Sequence, residues 1–305
     1  MIADRIVDRL VARLDSALSP PRSALQPWIV DGHTAGYLDQ TRATRVARFP
    51  NVFEMAPDAI RFHPSLRHPE QRTRALDTAV RALAAEGALT RWRDERYSVA
   101  VALSAPPLFE IERAAARFFG IATYAAHVNA TTAGGGELRM WLARRSATKA
   151  IDPGLLDNLV GGGIAAGMSI ADTVFKEAWE EAGIPKGIAS SARAAGCVRI
   201  FRQQPDGVQR ETIHVHDLAL PSDFEPRNED GEVVGYRLVD IEQAAELAGN
   251  STGDDVVTAD AALVIADWLL RHGQVPETSP GYAMLCTIVA FRKRTHSLPR
   301  VTTSP

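Results

Sequence analysis

One short segment, residues 161–185, constrains this chain more than any other part of its sequence. It reads GGGIAAGMSIADTVFKEAWEEAGIP, three glycines followed by an amphipathic stretch. Ser169 is a good N-cap residue, and Asp172 can complete a capping box, a position where Glu or Gln is more usual. Gly183, followed two residues later by a proline, is typical of a helix C-terminus. The segment therefore predicts a glycine-rich turn and then a helix over residues 170–182.

The predicted helix carries three glutamates on one side. At about 100° per residue, Glu177, Glu180 and Glu181 fall within an arc of about 100°. The neighbouring arc is apolar and would face a core; it comprises Ala171, Val174, Phe175, Ala178 and Ala182. Like charges at this spacing repel one another, and a divalent cation would reverse that effect. Carboxylate oxygens suit Mg²⁺ or Mn²⁺, and Mg²⁺ often joins one or two carboxylates to substrate phosphates. The alternative interpretation is a solvated acidic face, on which Lys176 pairs with Glu180.

Composition limits the classes of partner. The chain has 305 residues, which favours two domains. Its formal net charge of −3 provides no global field that would attract nucleic acid or an acidic membrane surface. The sequence has no apolar run long enough to span a membrane, and its opening residues lack the apolar core of a signal peptide. Cys197 and Cys286 are too few for a disulfide framework. We therefore expect no nucleic-acid or membrane partner and a cytoplasmic location.

Periodicity and turn residues predict the elements and the domains. Helices are predicted from the opening residues to Leu18 and over residues 69–86, 108–119, 170–182 and 260–271. Extended segments or strands are predicted over residues 27–30, 45–53, 97–103, 138–144, 197–203, 211–220 and 233–238. The character of the sequence changes near residue 122, which predicts domains 1–121 and 122–305. Strands interleaved with few helices favour an α+β or α/β sandwich for the second domain.

The acidic helix and the glycines before it resemble a Nudix box, whose pattern is G-x5-E-x7-R-E-U-x-E-E-x-G-U with U aliphatic. Aligned on Gly162, the match runs through Lys176, Glu177, Ala178, Glu180, Glu181, Gly183 and Ile184. The metal-binding E-x-x-E-E core is intact. Met168 replaces the first glutamate, which in the family helps to orient the site, and Lys176 replaces an arginine that braces the other glutamates. A lysine keeps the charge without the bidentate fork of arginine.

A wider resemblance extends over most of the chain. It is similar to Nudix proteins with an extra N-terminal DUF4743 domain, which are related to the Nudix partner of fungal thiamine pyrophosphokinase. The likeness is carried by residues 127–129, 141–146, 149, 153–154, 156–158, 217–221, 230–233 and 262–273, and upstream by 72–74, 92–95 and 112–113. It implies a Nudix α/β/α sandwich with a mixed sheet, preceded by a smaller α+β domain. It also implies a pyrophosphatase that acts on thiamine diphosphate and its oxidised analogues and releases the monophosphate.

The resemblance implies roles for the residues of the box. Glu177, Glu180 and Glu181 are the expected ligands of Mg²⁺ or Mn²⁺. Glu180 and Glu181 are also expected to be catalytic, Glu180 as a ligand or a base. Gly162 and Gly163 are expected to bind substrate or to offer a backbone carbonyl to the metal, because glycine lets a ligand approach the backbone closely. The bound ions would neutralise the diphosphate and lower the pKa of the attacking water.

Further site residues are expected outside the box. Many Nudix enzymes take another carboxylate from a later strand or loop, for which Glu232 is our choice and Glu229 the second. Arg144, Arg145 and Lys149 are expected to bind phosphate, for which arginine is well suited. Because side chains alternate along a strand, only one of the two adjacent arginines can face the site.

Several polar residues have weaker functional interpretations. Asn158 is expected to bind substrate, with a turn residue as an equal alternative. His127 and Asn129 favour a satisfied core or surface position over a ligand role. His214 and His216 share a strand face, but no third nitrogen or sulfur ligand lies nearby in sequence to complete a metal site.

Three functions stay open from the sequence. The first is a pyrophosphatase for a thiamine diphosphate-like small molecule. The second is a Nudix hydrolase for another nucleoside or coenzyme diphosphate. The third is a non-catalytic module that senses a diphosphate ligand, which Met168 and Lys176 favour and the three intact glutamates disfavour. The N-terminal domain either shapes the substrate pocket or forms the interface of a homodimer, and both interpretations stay open.

Overall fold

The structure, a computed structural model, describes residues 1–21, 24–149 and 151–294. The α-helices of the described residues are α1 (Asp4–Ala17), α2 (Gln40–Val46), α3 (Pro69–Ala85), α4 (Ala116–Phe119), α5 (Ile170–Ala182), α6 (Lys186–Ala189), α7 (Ile241–Gly249), α8 (Ala259–Arg271) and α9 (Tyr282–Arg294). The strands are β1 (Gln26–Val30), β2 (His33–Leu38), β3 (Phe53–Met55), β4 (Ile60–Phe62), β5 (Arg96–Val99), β6 (Phe109–Glu112), β7 (Ala122–Gly134), β8 (Glu137–Arg145), β9 (Leu156–Asn158), β10 (Val160–Gly163), β11 (Arg193–Gln204), β12 (Gly207–Ala219) and β13 (Val233–Asp240).

The smaller domain, residues 24–121, is organised around an aromatic core. Its four-stranded sheet has the order β2-β1-β4-β3, and β5 pairs with β6 in a separate ribbon. Trp28 is fully buried, and its ring centroid lies 4.8–5.8 Å from those of Phe53, Phe62, Phe109 and Phe119. Aromatic side chains bury large apolar areas. A domain of this size can therefore form its own core around one tryptophan.

The larger domain is a sheet between two layers of helices. The sheet has the order β11-β12-β7-β8-β13, with β10 paired to β7 and β9 paired to β8. It is mixed, because β12 and β7 run parallel whereas the other pairs are antiparallel. Side chains of α1, α7, α8 and α9 pack on one face and those of α5 and α6 on the other. This confirms the predicted α/β/α sandwich with a mixed sheet and a smaller preceding domain.

Helix α1 packs against the larger domain. Ile6, Leu10 and Leu14 are buried in the same cluster as α7, α8 and the sheet. The Arg13 guanidinium, at the end of the same helix, donates to the carbonyl of Ala248 at 2.7 Å. The predicted division into residues 1–121 and 122–305 did not anticipate this packing, because a period of 3.6 residues predicts an apolar face but not the surface that covers it.

Two predicted elements of the smaller domain are wrong. The extended segment predicted over residues 45–53 is instead the end of α2, a turn and the first residue of β3. Helix α2 is capped by Asp39, whose carboxylate accepts from Arg42 N at 2.9 Å. The helix predicted over residues 108–119 is β6, a short 3₁₀ turn and the single turn of α4. Phe109 and Ile111 alternate towards the core, and short apolar runs fit both a helix and a strand.

The described part of the chain contains no helix both long and apolar enough to cross a membrane.

Replacing Trp28 tests the aromatic core. We expect Trp28→Ala to lower the free energy of unfolding by about 3–5 kcal/mol, because it removes a fully buried ring and leaves a cavity. Trp179→Ala is the matched control, since that ring is 49% exposed, and it should cost less than about 1 kcal/mol. Urea unfolding followed by circular dichroism measures both. Equal losses in the two variants would contradict the assignment of the core.

Candidate active site

Helix α5 forms as the sequence predicts. The Ser169 hydroxyl caps its N-terminus by accepting from the amide of Asp172 at 3.1 Å, and Gly183 ends it in the left-handed conformation with φ 61°. Val174, Ala178 and Ala182 are buried against the sheet. This apolar face fixes the rotation of the helix, which turns Glu177 and Glu181 towards the glycines of β10.

Glu181 is the most buried acidic group of the helix, with 4% of its surface exposed. The amide of Gly161 donates to its Oε2 at 2.9 Å, and Lys149 Nζ donates to Oε1 at 3.4 Å. The Tyr236 hydroxyl holds the backbone of the same residue by donating to its carbonyl at 2.7 Å. Burial raises the pKa of Glu181 to about 7, and the nearby Lys149 ammonium opposes that rise. The site therefore holds a carboxylate whose charge is costly without a cation.

Glu177 lies against Gly162, and Glu180 lies nearer to solvent. Burial also raises the pKa of Glu177, and the Lys176 ammonium opposes the rise. Lys176 Nζ donates to Glu177 Oε1 at 3.1 Å and to Glu180 Oε2 at 2.6 Å. It thus braces two of the three glutamates, as the arginine of the resembled box would, by point-charge contacts. About a third of the Glu180 side chain is exposed, so the three glutamates do not share one environment.

The three glycines form a strand, which corrects the predicted turn. Residues 160–163 pair with β7 as β10. Each glycine meets a different side chain at the place where a Cβ would lie. A Cβ on Gly161 would be 3.1 Å from His127 Nε2, one on Gly162 would be 2.3 Å from Glu177 Cδ, and one on Gly163 would be 2.2 Å from the Tyr97 hydroxyl. The glycines are needed for close packing over the strand, and none of the three requires a left-handed backbone.

A cavity of about 220 Å³ opens beside β10, between the two domains. The three glycines line it together with His127, Lys149, Arg145 and Glu232. The smaller domain contributes much of the remaining wall. Seven basic side chains line the cavity, namely Arg91, Arg93, Arg113, Arg117, Arg145, Lys149 and Arg210. Six carboxylates also line the cavity, those of Asp152, Asp157, Asp206, Glu211, Glu232 and Asp260, whereas Glu177, Glu180 and Glu181 lie outside the lining. The basic side chains suit an anionic ligand such as a diphosphate.

The adjacent arginines of β8 point in opposite directions, as alternation requires. Arg145 lines the cavity and donates to Asp157 at 2.7 Å. Arg144 does not line it; its guanidinium pairs with Asp255 and donates to the carbonyls of Gly154 and Asp254, each at 2.8 Å. The structure therefore does not bring Arg144 to the cavity, and its contacts hold the loop at residues 254–255 instead.

Lys149 forms ion pairs with both Glu181 of the acidic helix and Glu232, the predicted late carboxylate. Besides Glu181, it contacts Glu232, whose carbonyl accepts from Ser146 N at 2.8 Å. Burial lowers the pKa of Lys149, and the charge of Glu181 opposes that effect. Glu229, the second choice for a late carboxylate, lies outside the cavity lining, and its amide donates to the carbonyl of Glu180 at 2.8 Å. Glu232 is therefore the better placed of the two.

Of the polar residues considered on β7, β9 and β12, only His127 lines the cavity. Asn158 is buried and does not line the cavity; it bonds to His127 and Asn129. His127 takes the cavity position that was expected of Asn158. His214 and His216 lie on β12, outside the cavity lining.

The sequence left open whether the smaller domain shapes the substrate pocket, and it did not predict which residues of that domain line the cavity. Tyr97 on β5 is buried beside Gly163, and the guanidinium of Arg113 lies 5.6 Å from its ring centroid. Arg93 reaches within 3.9 Å of Glu232. The segments around Arg93 and Arg113 carry part of the family likeness, but no sequence spacing shows that a separate strand pair packs against the glycine strand.

The donor set fits a hard divalent cation. In the described residues, no group of three or more histidine, cysteine and acidic side chains has the arrangement of a preformed metal cage. Mg²⁺ commonly binds through one or two carboxylates, waters and substrate phosphates, so a closed cage is not required. Glu181 is buried and Glu177 is half-buried, and both have raised pKa values. A cation at these oxygens would offset the cost of their charge.

Comparison with known proteins shows which families the two domains resemble. Residues 123–260 match the profile of the NUDIX domain, and residues 9–123 match the domain of unknown function DUF4743. Nudix hydrolase 24, chloroplastic, of Arabidopsis thaliana is 35% identical over 84% of this chain and 70% of its own length. Nudix hydrolase 20, chloroplastic, of the same plant is 34% identical over the same shares. The NUDIX domain of Shewanella oneidensis NrtR, solved with ADP ribose, superposes with a TM-score of 0.40 and 13% identity, covering 50% of this chain and 90% of that one.

Fold, acidic helix and cavity together define an enzyme that hydrolyses pyrophosphate bonds. Enzymes of this kind generally need a divalent metal. The chain belongs to the Nudix hydrolase family, in the group that carries an N-terminal DUF4743 domain.

The pKa of Glu181 predicts how stability depends on pH when no metal is present. The unfolded chain releases this proton near its ordinary value of 4.5 and the folded chain near 7. Between these values the folded state holds more protons, so the free energy of unfolding falls as pH rises. We expect the stability of wild type relative to Glu181→Gln to drop by roughly 1–3 kcal/mol between pH 5 and pH 8. Urea unfolding in a chelating buffer measures it, and a pH-independent difference would contradict the burial argument.

Adding one methyl group to β10 tests the contact between Gly162 and Glu177. In Gly162→Ala, the methyl group would overlap the Glu177 carboxylate, which must move. We expect the affinity for Mn²⁺, followed by electron paramagnetic resonance, to fall roughly 10–100-fold, as when the support of a ligand is lost. Gly187→Ala is the matched control, because nothing lies within 4 Å of that position. Equal affinity in the two variants would show that Glu177 does not bind the ion.

Proposed function

We propose that this chain hydrolyses thiamine diphosphate, or an oxidised analogue of it, to the monophosphate, with Mg²⁺ or Mn²⁺ held by Glu177 and Glu181. The observation that carries the reaction is the pair of carboxylates with raised pKa values that lie against the glycine strand, because the same strand lines a cavity with seven basic side chains. The choice of thiamine rests on the resemblance of the whole two-domain chain. Free thiols at Cys197 and Cys286 support a cytoplasmic location, although the two Arabidopsis relatives are named chloroplastic.

The glutamates of the box would have different roles because they differ in burial. Glu177 and Glu181 would hold the metal, and Gly161 keeps one oxygen of Glu181 in place through its amide. When bound, the ion neutralises phosphate charge and lowers the pKa of the attacking water. Glu180 is more exposed, which suits a further ligand or a base. The water oxygen forms a bond to the terminal phosphorus, the bridging P–O bond breaks, and the monophosphate leaves.

The cationic residues would hold the diphosphate. Lys149 pairs with both Glu181 and Glu232 in the structure. A metal ion at Glu181 would replace part of that charge balance and free the ammonium group for a phosphate oxygen. Arg145 is adjacent in the cavity lining and offers a planar fork. Glu232 is then positioned to accept the proton of the attacking water, within reach of Lys149.

Two alternative functions remain, one with a different substrate and one without catalysis. Another nucleoside or coenzyme diphosphate would change only the organic group. A diphosphate sensor would bind without turnover, and the loss of a carboxylate at Met168 favours it. The contacts of Lys176 with Glu177 and Glu180 disfavour it, because they preserve the bracing of the metal ligands.

A phosphate-release assay with Glu181→Gln tests the proposed function. Wild type is incubated with Mg²⁺ and thiamine diphosphate, its oxidised analogue or ADP-ribose, and phosphate or monophosphate products are measured. We expect thiamine diphosphate or its analogue to be hydrolysed fastest. Glu181→Gln should lower kcat at least about a hundredfold, since metal binding contributes several kcal/mol to the transition state. A chelator should have the same effect, reversed by adding Mg²⁺ or Mn²⁺.

The control is Glu242→Gln, which changes an exposed glutamate in the first turn of α7 and should leave kcat within about twofold. Equal activity of Glu181→Gln and wild type would refute the metal assignment. Tight binding of thiamine diphosphate by wild type without any product would show that the chain is a diphosphate sensor. Hydrolysis of ADP-ribose alone would show that the substrate is a nucleoside diphosphate and not a thiamine compound.

A further inference from the structure

His127 is a buried histidine with one side turned to the cavity. It lies on β7 opposite Gly161, which has no side chain to cover the imidazole ring. Only 8% of its surface is exposed, and it is part of the cavity lining. Within the part of the chain that the structure describes, its Nδ1 bonds to Asn158 Oδ1 at 2.8 Å and its Nε2 has no hydrogen-bond partner.

A chain of hydrogen bonds behind the ring begins at a carboxylate. Burial opposes the ionisation of Asp217, but hydrogen bonds from Arg271 and His272 outweigh it and hold its pKa below the ordinary value. Asn129 Nδ2 donates to Asp217 Oδ1 at 3.3 Å, and Asn158 Nδ2 donates to Asn129 Oδ1 at 3.1 Å. The chain therefore runs from Asp217 through two buried amides to His127.

The ionised end fixes the direction of every bond in this chain. A carboxylate can only accept, so the Asn129 amide group facing Asp217 must be NH₂. The oxygen of Asn129 then faces Asn158 and accepts from its NH₂ group. The oxygen of Asn158 is left facing His127, so Nδ1 of the ring must carry a proton and donate it. In the neutral ring, Nε2 then carries the lone pair.

We infer that His127 binds the organic part of the substrate, by accepting a hydrogen bond at Nε2 from an N–H or O–H group; this rests on the proposed function. Phosphate oxygens are acceptors and would be repelled by that lone pair. The carboxylates of Asp152 and Glu211 line the same cavity and add further acceptors. The substrate is thus a diphosphate ester whose organic group carries hydrogen-bond donors.

Two substitutions separate binding from support of the fold. His127→Asn keeps a group near Nδ1 for Asn158 but offers nothing at Nε2, whereas His127→Gln offers an amide oxygen near Nε2. With the diphosphate that wild type hydrolyses best among thiamine diphosphate, its oxidised analogue and ADP-ribose, we expect KM to rise roughly tenfold in His127→Asn, the usual effect of losing one hydrogen bond. His127→Gln should stay within about threefold.

Inorganic pyrophosphate is the control ligand, because it has no organic group. Its inhibition constant should change less than about threefold in both variants. His216→Asn and His216→Gln are control variants, since His216 is equally buried but lies outside the cavity lining. The opposite order, with His127→Gln impaired and His127→Asn normal, would show a structural role and overturn the inference. Loss of pyrophosphate binding would assign His127 to the phosphates and overturn it too.

The tautomer can be measured without any substrate. In protein labelled with [¹⁵N]histidine, we expect the His127 ring to show a proton on Nδ1 and none on Nε2, with the signal assigned by its loss in His127→Gln. A ring protonated on Nε2 would overturn the inference whatever the chain hydrolyses. A wild type that hydrolyses no diphosphate but shows the Nδ1 proton would refute the proposed function and leave the acceptor at Nε2 established.

Discussion

The structure of the site depends on close packing over the three glycines of β10. His127, Glu177 and Tyr97 come from three different elements, and each occupies the place where a neighbouring glycine would have a Cβ. Glu177 belongs to helix α5, His127 to the central sheet and Tyr97 to the smaller domain. Interiors pack too tightly for such positions to be shared. Three consecutive glycines therefore bring side chains from helix α5, the central sheet and the smaller domain within a few residues of one another.

This packing has an electrostatic consequence. Burying Glu177 and Glu181 raises their pKa values, which means that the folded chain without a cation stores unfavourable charge at its site. Lys149 offsets part of it, and its own pKa is lowered by the same burial. A divalent ion that bound only the folded arrangement of these groups would also stabilise the fold. The same acidic residues that would favour binding of the ion therefore lower the stability of the fold when no ion is bound.

The sequence predicted local structure well and long-range contacts poorly. Helix α5 has the predicted bounds because Ser169 and Gly183 are local signals. The glycines were expected to form a turn, since a run of glycine gives no sign that side chains from elsewhere will cover it. The alternation rule allowed one of Arg144 and Arg145 to face the cavity, but which one depends on the register of β8 with β13. Tyr97 and Arg113 could not be predicted as parts of the site, because their place depends on how the β5–β6 pair packs against β10, which is also a long-range contact.

The smaller domain is held over the cavity from both of its ends. Upstream, α1 packs into the core of the larger domain, and downstream the chain passes directly into β7, the central strand. Contacts between the domains reinforce this, including the amide of Ala166, which donates to the carbonyl of Arg96 at 2.8 Å, and Arg42, which donates to Pro205 at the same distance. A segment tied at two points loses far less entropy on docking than one tied at a single point. These contacts place Tyr97 and Arg113 beside β10, which makes the smaller domain part of the wall of the cavity.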